Sequence, residues 1–200
     1  MGIVERKERK KAEMRKAILE ASWELVLRQG WQALSIRKIA DAIEYSVPVI
    51  YDHFANKEAI LLELTRRGFQ NLNDRLLEAR AKSETPEGQI EAMAAAYWKF
   101  AFENEAYYQV MYGLGIPSCE TVNRIAELGV FTDLILEPIK KLINAGSKPQ
   151  TDPFLKLHTF WSMLHGLVSI NMMGTGEKKE EMNQRVLQDF ICSFLLGFKG

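Results

Sequence analysis

The sequence predicts an all-α protein of about nine helices, in which a small amino-terminal domain precedes a larger helical one. Apolar residues recur at three- and four-residue steps along most of the chain, which is the period of amphipathic helices. No segment alternates apolar and polar residues as a strand would. Neither Asn-Gly nor Asp-Gly, the commonest short hairpin turns, occurs anywhere in the chain.

The first three helices follow closely on one another. Residues 1–9 are rich in Lys and Arg and are expected to form a mobile basic arm ahead of the first helix. That helix runs to about Arg28, and Gly30 ends it because glycine adopts the left-handed conformation readily. The second helix begins after Ser35, a residue type that caps helices by accepting a backbone N–H bond. The third is expected over Val47–Phe54.

The second and third helices have the spacing of a helix-turn-helix, because only Glu44, Tyr45 and Ser46 separate them. The fourth helix starts at the capping residue Asn56 and continues to about Ala81. The sequence therefore predicts a three-helix helix-turn-helix domain of residues 1–56 and a larger helical domain of residues 57–200.

Capping residues also locate the helices of the larger domain. Thr85 and Asp152 each precede a proline, which is tolerated in the first turn of a helix. Pro138 lies inside another helical segment and is expected to kink it. The expected helices are Pro86–Glu103, Glu105–Tyr112, Thr121–Asn144, Pro153–Met173 and Glu180–Phe198.

Charge is unevenly distributed along a chain whose formal net charge is zero. Residues 1–82 carry 16 basic and 12 acidic side chains, whereas residues 83–200 carry 10 and 14. A positive front half suits a protein that presents one end to phosphate. The two cysteines, Cys119 and Cys192, are too few for a disulfide framework and suggest a reducing compartment, so we expect a cytoplasmic, nucleoid-associated bacterial protein.

One segment is long and apolar enough to raise the question of a membrane. Residues 157–176 contain no Asp, Glu, Lys or Arg. They carry His158, His165 and several hydroxyl side chains, so a helix buried in a bundle or subunit interface fits better. No apolar signal core follows the charged amino terminus, and neither a signal peptide nor a membrane partner is expected.

Side chains on the outside of the helix-turn-helix are suited to duplex DNA. Ile39 and Ile50 must face inward to hold the two helices together, which leaves hydroxyl and basic groups on the outside. Such groups next to helix starts suit the phosphate backbone, although capping alone also explains Ser35 and Asn56. The candidate DNA-binding residues are Ser35, Arg37, Lys38, Tyr45, Ser46, Val47, Pro48, Val49, Tyr51, Asp52, His53 and Lys57.

Residues 35–64 resemble the amino-terminal helix-turn-helix of TetR-family transcriptional repressors, and the resemblance extends back to Ile18 and Gly30. It implies a homodimer that binds a palindromic operator in double-stranded DNA through two such domains, and a small-molecule effector that releases the DNA. The family pattern is matched by Ser35, Ile39, Ala40, Ser46, Ile50, Tyr51, His53, Phe54, Lys57, Glu58 and Ile60.

The departures from the family pattern fall together in the turn, at residues 43–45 and at Pro48. The family often has glycine at the position of Glu44, and a left-handed Glu44 would cost about 1 kcal/mol. We therefore expect this turn to be built differently. Because Val47 and Val49 can contact thymine methyl groups but cannot make bidentate hydrogen bonds, we expect modest direct base readout.

The last two long helices are the predicted dimerisation elements. Their apolar residues recur at three- and four-residue steps, so two helices from each subunit would form a four-helix bundle. Packing within a single chain is the alternative. The candidate interface residues are Phe154, Leu157, Trp161, Leu164, Val168, Met172, Val186, Phe190 and Phe194.

An aromatic, Met-bearing stretch in the middle of the chain suggests a pocket for a mostly apolar effector, with plain core packing as the alternative. Trp161, His165 and Gly166 resemble the Trp-x-x-x-His-Gly motif of a TetR carboxyl-terminal subclass. No further metal ligand follows at helical spacing, so neither a metal nor a cofactor is expected. The candidate ligand-binding residues are Met93, Tyr97, Trp98, Phe102, Tyr107, Tyr108, Met111, Trp161 and His165.

The sequence thus favours a ligand-responsive DNA-binding regulator, most simply a repressor. The alternative is an architectural or partner-binding helix-turn-helix protein that has no small-molecule effector. An enzyme is not expected, because the chain lacks the nucleophile elbow, zinc-protease, phosphate-loop and dinucleotide-binding motifs.

Overall fold

The structure, a computed structural model of the chain, describes residues 2–113, 125–173 and 180–199. These residues form nine α-helices and a single 3-10 turn at Trp31–Ala33, and they contain no strand, so the all-α prediction is confirmed. The helices are α1 (Ile3–Gln29), α2 (Ile36–Ala42), α3 (Val47–Tyr51), α4 (Lys57–Arg80), α5 (Pro86–Glu103), α6 (Glu105–Tyr112), α7 (Ala126–Ala145), α8 (Pro153–Met173) and α9 (Glu180–Lys199). None of them is both long and apolar enough to cross a bilayer.

The predicted capping residues start the helices assigned to them. The Asn56 side chain accepts the backbone N–H of Ala59 at 2.9 Å, and the Thr85 hydroxyl accepts that of Gly88 at 3.2 Å. Asp152 accepts the backbone N–H of a residue two positions later at 2.8 Å. Each bond satisfies an N–H group that has no partner within its helix. The predicted start of α7 at residue 121 lies outside the described residues.

Helix α1 begins at Ile3, so the basic residues predicted to form an arm lie on its first turns. The Glu5 carboxylate accepts the backbone N–H of Gly2 at 2.9 Å, which caps the amino terminus. Arg9 and Glu13 form an i,i+4 ion pair at 3.5 Å along the exposed surface. Such pairs stabilise a helix that buries little apolar surface.

Helix α3 ends at Tyr51 rather than at Phe54. The chain continues as a hydrogen-bonded turn, because the N–H groups of His53 and Phe54 both donate to the carbonyl oxygen of Ile50. This turn places Phe54 in the core, where it is 3% exposed.

The chain divides into two compact units. The first, called the head, consists of Met1–Phe69 and Asn104–Ile125; the second, called the body, consists of Gln70–Glu103 and Ala126–Gly200. This division differs from the predicted boundary after residue 56, because it falls inside α4 and places α6 in the head. The apolar side chains at the start of α4 explain the difference, since they are part of the head core. That core is formed by Ile18, Leu19, Val26, Trp31, Leu34, Ile39, Ala40, Ile50, Phe54, Ile60, Leu61, Leu64 and Val110.

In the body, α7 packs against both α5 and α8. Phe100, Phe131 and Phe160, one from each of these helices, are fully buried. Arg80 at the end of α4 pairs with Glu137 of α7 at 2.5 Å, and this hydrogen bond lowers the pKa of the Glu137 carboxyl. The body is therefore held by an apolar core with ion pairs at its edge.

Candidate nucleic-acid interface

The turn between α2 and α3 is closed by a Schellman motif. The backbone N–H of Tyr45 donates to the carbonyl oxygen of Ala40 at 3.0 Å, and that of Glu44 donates to Asp41 at 3.2 Å. Glu44 has a φ of 60° and is the only non-glycine residue with positive φ among those described. The expectation that this turn avoids the left-handed conformation is therefore wrong. Two hydrogen bonds to otherwise unpaired carbonyl groups offset the cost of placing a β-carbon there.

Helix α3 is anchored from one side and open on the other. Ile39 of α2 and Ile50 of α3 are completely buried in the head core, as the sequence predicted. Pro48 lies in the first turn of α3, where its missing N–H leaves no bond unmade. Tyr45 and Tyr51 are 50% and 53% exposed, so two phenol groups flank the open side.

Most of the predicted DNA-binding residues are exposed on this surface. The exposed ones are Arg37, Lys38, Tyr45, Ser46, Pro48, Tyr51 and Asp52, and the half-buried ones are Ser35, Val47, Val49, His53 and Lys57. Ser35 caps α2 through a 3.3 Å bond from the N–H of Lys38, and the Lys38 ammonium donates to the Gln29 side chain at 2.8 Å. Val47 packs partly against the head core, which leaves less of it available for thymine methyl groups than predicted.

His53 lies at the end of α3 with one ring nitrogen enclosed. Its Nδ1 is buried and has no hydrogen-bond partner among the described residues, while the side chain as a whole is only half-buried. The Nε2 atom is thus the nitrogen that can meet a phosphate oxygen, provided that it carries the proton.

Arg15 of α1 holds this end of α3, a role that sequence reasoning missed. Its guanidinium donates to the backbone carbonyl oxygen of His53 and lies 4.1 Å from the centre of the Phe54 ring. A cation at the carboxyl end of a helix is favoured by the helix dipole, and stacking on an aromatic ring adds a cation–π contribution. The available signal was that Arg15 lies one turn before Ile18, on the buried side of α1.

The predicted ligand-binding residues divide between the two units. Met93, Tyr97 and Trp98 of α5 are buried in the body. Tyr97 and Trp161 both lie beside Phe131, with ring centroids 6.2 Å and 5.3 Å from it. Of the remaining candidates, Phe102 and His165 lie in the body, whereas Tyr107, Tyr108 and Met111 of α6 lie in the head.

Within the head, α6 docks on α1 and α4 through specific contacts. The Tyr107 ring stacks on Trp23 at 3.9 Å, and the Trp31 indole N–H donates to the carbonyl oxygen of Ala106 at 3.1 Å. Burial raises the pKa of the Tyr107 hydroxyl. Gly68 of α4 lies against Met111, so closely that a β-carbon on Gly68 would come within 2.7 Å of the Met111 sulfur. The aromatic helix predicted to line an effector site is thus firmly part of the head.

His165 lies in a less polar setting than the exposed His158. Burial lowers the pKa of His165 below its usual 6.5, and its Nε2 lies 3.3 Å from the Ser169 hydroxyl. No group of three potential metal ligands occurs among residues 2–113, 125–173 and 180–199. The arrangement suits a neutral imidazole that forms hydrogen bonds inside the body.

The predicted dimerisation residues are divided between core and surface. Leu157, Leu164, Val168 and Phe194 are at most 6% exposed and pack within the chain's own core, which leaves them nothing further to bury against a partner. Trp161, Met172 and Phe190 are half-buried, and Phe154 and Val186 are exposed. A different apolar set lies on the outer faces of α8 and α9: Leu155, Met163, Ile170, Met182 and Leu196. Helical periodicity predicted the positions of the helices, but it did not predict which apolar residues of α8 and α9 face outward.

Cavities bordered by described residues lie along α9, away from the predicted ligand-binding residues. One of about 240 Å³ is bordered by Leu142, Gly146 and Phe198 among others, and a second of the same volume lies beside Ile191 and Cys192. Cys192 is an exposed free cysteine, and Cys119 lies outside the described residues.

Comparison with known proteins gives matches to both parts of the chain. Residues 18–64 match the family described as bacterial regulatory proteins, tetR family, and residues 90–190 match the tetracyclin repressor-like, C-terminal domain family. That Trp161, His165 and Gly166 mark the Trp-x-x-x-His-Gly subclass stays a prediction.

Two curated relatives and one solved structure illustrate the likeness. The uncharacterized HTH-type transcriptional regulator YobS of Bacillus subtilis is 22% identical over 92% of this chain and 94% of its own length. The HTH-type transcriptional activator FasR of Mycolicibacterium smegmatis is 24% identical over 80% of this chain and 69% of its own. The transcriptional regulator FadR of Bacillus subtilis, solved with stearoyl-CoA, superposes with a TM-score of 0.70 at 17% identity, covering 88% of this chain and 97% of that one.

Proposed function

Because this chain belongs to the TetR family of bacterial transcriptional regulators, we propose that it is a homodimeric repressor of a palindromic operator, released by a mostly apolar small molecule. The family consists of transcriptional regulators rather than enzymes. The observation that carries the proposal is the placement of α3 in the helix-turn-helix. Ile50 fixes α3 to the head core, whereas Tyr45 and Tyr51 beside it stay half exposed.

DNA contact is assigned to side chains around α3. Tyr51, His53 and Lys57, at the end of α3 and the start of α4, each offer a donor, and such donors bind phosphate oxygens without regard to sequence. Base readout falls to Tyr45 and Pro48 at the entry of α3, with Val49 contributing apolar contact. Few of these groups are bidentate, so DNA shape contributes much of the specificity.

A second copy of the chain is the proposed occupant of the outer face of α8 and α9. Leu155, Met163 and Ile170 repeat at eight- and seven-residue steps and therefore lie on one side of α8, and they are 62%, 52% and 67% exposed. Val186 and Leu196 add exposed apolar surface on α9. A symmetric pairing of these faces buries both, and the resulting dimer has two heads with which to bind a palindrome.

The effector is assigned to the body, beside Met93, Tyr97, Trp98 and Trp161. Large apolar and aromatic side chains with a few polar groups are typical of small-molecule pockets. The FadR neighbour was solved with stearoyl-CoA, so a long-chain acyl-CoA is a suitable first probe. By linkage, an effector releases DNA only if it binds the DNA-free geometry more tightly.

The proposal is tested with a duplex recovered from a randomised library by selection on the purified protein. Fluorescence anisotropy should show saturable, salt-sensitive binding. Tyr51→Phe and Lys57→Ala should each weaken binding to all sequences alike, by about tenfold. Lys82→Ala, an exposed lysine of the body, is the charge-matched control. Absence of salt-sensitive binding to any recovered duplex would overturn the proposal.

The effector and the direction of regulation need separate experiments. Stearoyl-CoA should release the labelled duplex while coenzyme A alone should not; release by neither removes acyl-CoAs from the candidates. The relative FasR is named an activator, so activation is the second candidate function. In vitro transcription from a promoter overlapping the recovered site decides between the two, because a repressor lowers the yield of transcript and an activator raises it.

A further inference from the structure

The first three turns of α1 stand clear of the rest of the head. Every residue from 2 to 13 is exposed, whereas the helix becomes buried from Ile18 onward. The exposed turns carry five basic and three acidic side chains. They bury no apolar surface, and Ile3 and Val4 are 90% and 73% exposed. This segment, called the α1 extension, therefore adds little to the stability of the head by packing.

The position of Arg15 determines where the α1 extension leaves the head. Arg15 is bonded to the carbonyl oxygen of His53 and stacked on Phe54, so α1 passes the carboxyl end of α3 at this point. His53 and Lys57, two of the proposed phosphate contacts, lie at the same end. The extension continues outward from the edge at which the phosphate backbone is expected.

Two unpaired lysines continue the line of Arg15 along the extension. Lys7, Lys11 and Arg15 are spaced i, i+4 and i+8 and therefore lie along one side of α1. Lys11 and Lys7 are about 6 Å and 12 Å from Arg15 along the helix axis. Neither lysine forms an ion pair among the described residues.

Two basic residues on the opposite side of α1 are neutralised by ion pairs. Arg9 pairs with Glu13 at 3.5 Å, and Lys16 pairs with Glu20 at 3.6 Å. Lys7 and Lys11 are therefore unpaired charges on the side that Arg15 marks, whereas Arg9 and Lys16 are paired on the opposite side. Lys is a flexible point charge that suits phosphate oxygens better than base edges.

We infer that the α1 extension is a second DNA-contacting element, in which Lys7 and Lys11 bind backbone phosphates outside the segment contacted by α3. This inference rests on the proposed function, because it needs the head to bind duplex DNA. Each lysine that neutralises a phosphate releases condensed counterions, so its contribution is visible in the salt dependence of binding.

The test compares two double variants of the full-length protein. Lys7→Gln with Lys11→Gln removes the unpaired lysines, and Arg9→Gln with Lys16→Gln makes the same charge change on the other side of α1. Circular dichroism and thermal melting establish that both variants keep the wild-type fold. Anisotropy with the selected duplex is then measured over a range of salt concentrations.

The Lys7/Lys11 variant should bind at least about tenfold more weakly at low salt. Its slope of log K against log salt should fall by about 0.9 for each lost contact, or about 1.8 for each subunit. Hydroxyl-radical footprinting should show lost protection at the outermost backbone positions only. The Arg9/Lys16 variant should bind like wild type.

Failure of this inference can be distinguished from failure of the proposed function. A wild-type protein that binds no duplex overturns both this inference and the proposed function. Wild-type binding with an unchanged slope in the Lys7/Lys11 variant overturns this inference alone. Equal weakening in both double variants also overturns it, because the effect would then be one of net charge rather than of position.

Discussion

The indole ring of Trp23 and the phenol ring of Tyr107 lie stacked, with centroids 3.9 Å apart and planes 19° from parallel. Trp23 belongs to α1 and Tyr107 to α6, so this stack joins two helices of the head that are far apart in the sequence. Val110, one helical turn after Tyr107, is 7% exposed and completes the head core. α6 is thus built into the DNA-binding unit.

Removing the Tyr107 ring should loosen α6 from the head. Tyr107→Ala should lower the free energy of unfolding by about 2 kcal/mol, because a half-buried ring and an aromatic pair are lost. Urea unfolding measures the change. Tyr107→Phe keeps the stack and is the control, and it should remain within about 0.5 kcal/mol of wild type. Equal loss in both variants would locate the contribution in the hydroxyl group rather than in the stack.

Replacement by alanine should stabilise the protein at one helical glycine but not at another. Gly129 of α7 has open space where a β-carbon would lie, so Gly129→Ala should stabilise the protein by about 1 kcal/mol through helix propensity. A β-carbon on Gly68 of α4 would lie 2.7 Å from the Met111 sulfur, and Met111 is only 3% exposed. Gly68→Ala should therefore gain nothing or destabilise. Thermal melts of the two variants measure the change in stability. An equal gain in stability in both variants would show that Met111 moves without cost.

The left-handed residue in the helix-turn-helix provides a third test. Glu44→Gly should raise the free energy of unfolding by about 1 kcal/mol, because glycine adopts a φ of 60° without steric cost. Glu44→Ala removes the same carboxylate but keeps the β-carbon, and it should show no such gain. A comparable gain in the alanine variant would assign the effect to charge instead of backbone conformation.

The half-buried histidine of α8, His165, should make stability depend on pH. The pKa of His165 is lowered by burial below 6.5, so the unfolded chain takes up a proton at a higher pH than the folded one. This histidine therefore penalises folding as pH falls below 6.5, and its effect is absent above that value. Urea unfolding across this range should show a steeper loss for wild type than for His165→Gln. His158→Gln, an exposed histidine on the same helix, should keep the wild-type profile; a flattened profile in that variant instead would refute the assignment.

In the helix-turn-helix, some side-chain positions followed from the sequence and others did not. The inward positions Ile39 and Ile50 and the exposed Tyr51 follow from helical periodicity, and the structure has them so. The conformation of Glu44 was predicted wrongly, because residue propensity was weighed without the two hydrogen bonds that the motif supplies. Val47 was expected to face outward or sideways, and it packs partly on the core.

The sequence by itself determined where α4, α5 and α8 begin, because a cap such as Asn56 or Asp152 acts on backbone groups two or three residues away. Only the tertiary structure decided which helices meet. Arg15 bonds to a carbonyl oxygen 38 residues away, and Trp31 to one 75 residues away. The same packing decided which apolar stripe of α8 is buried and which is left outside. Such contacts depend on how whole helices pack together, and helical periodicity says only that each helix has an apolar side.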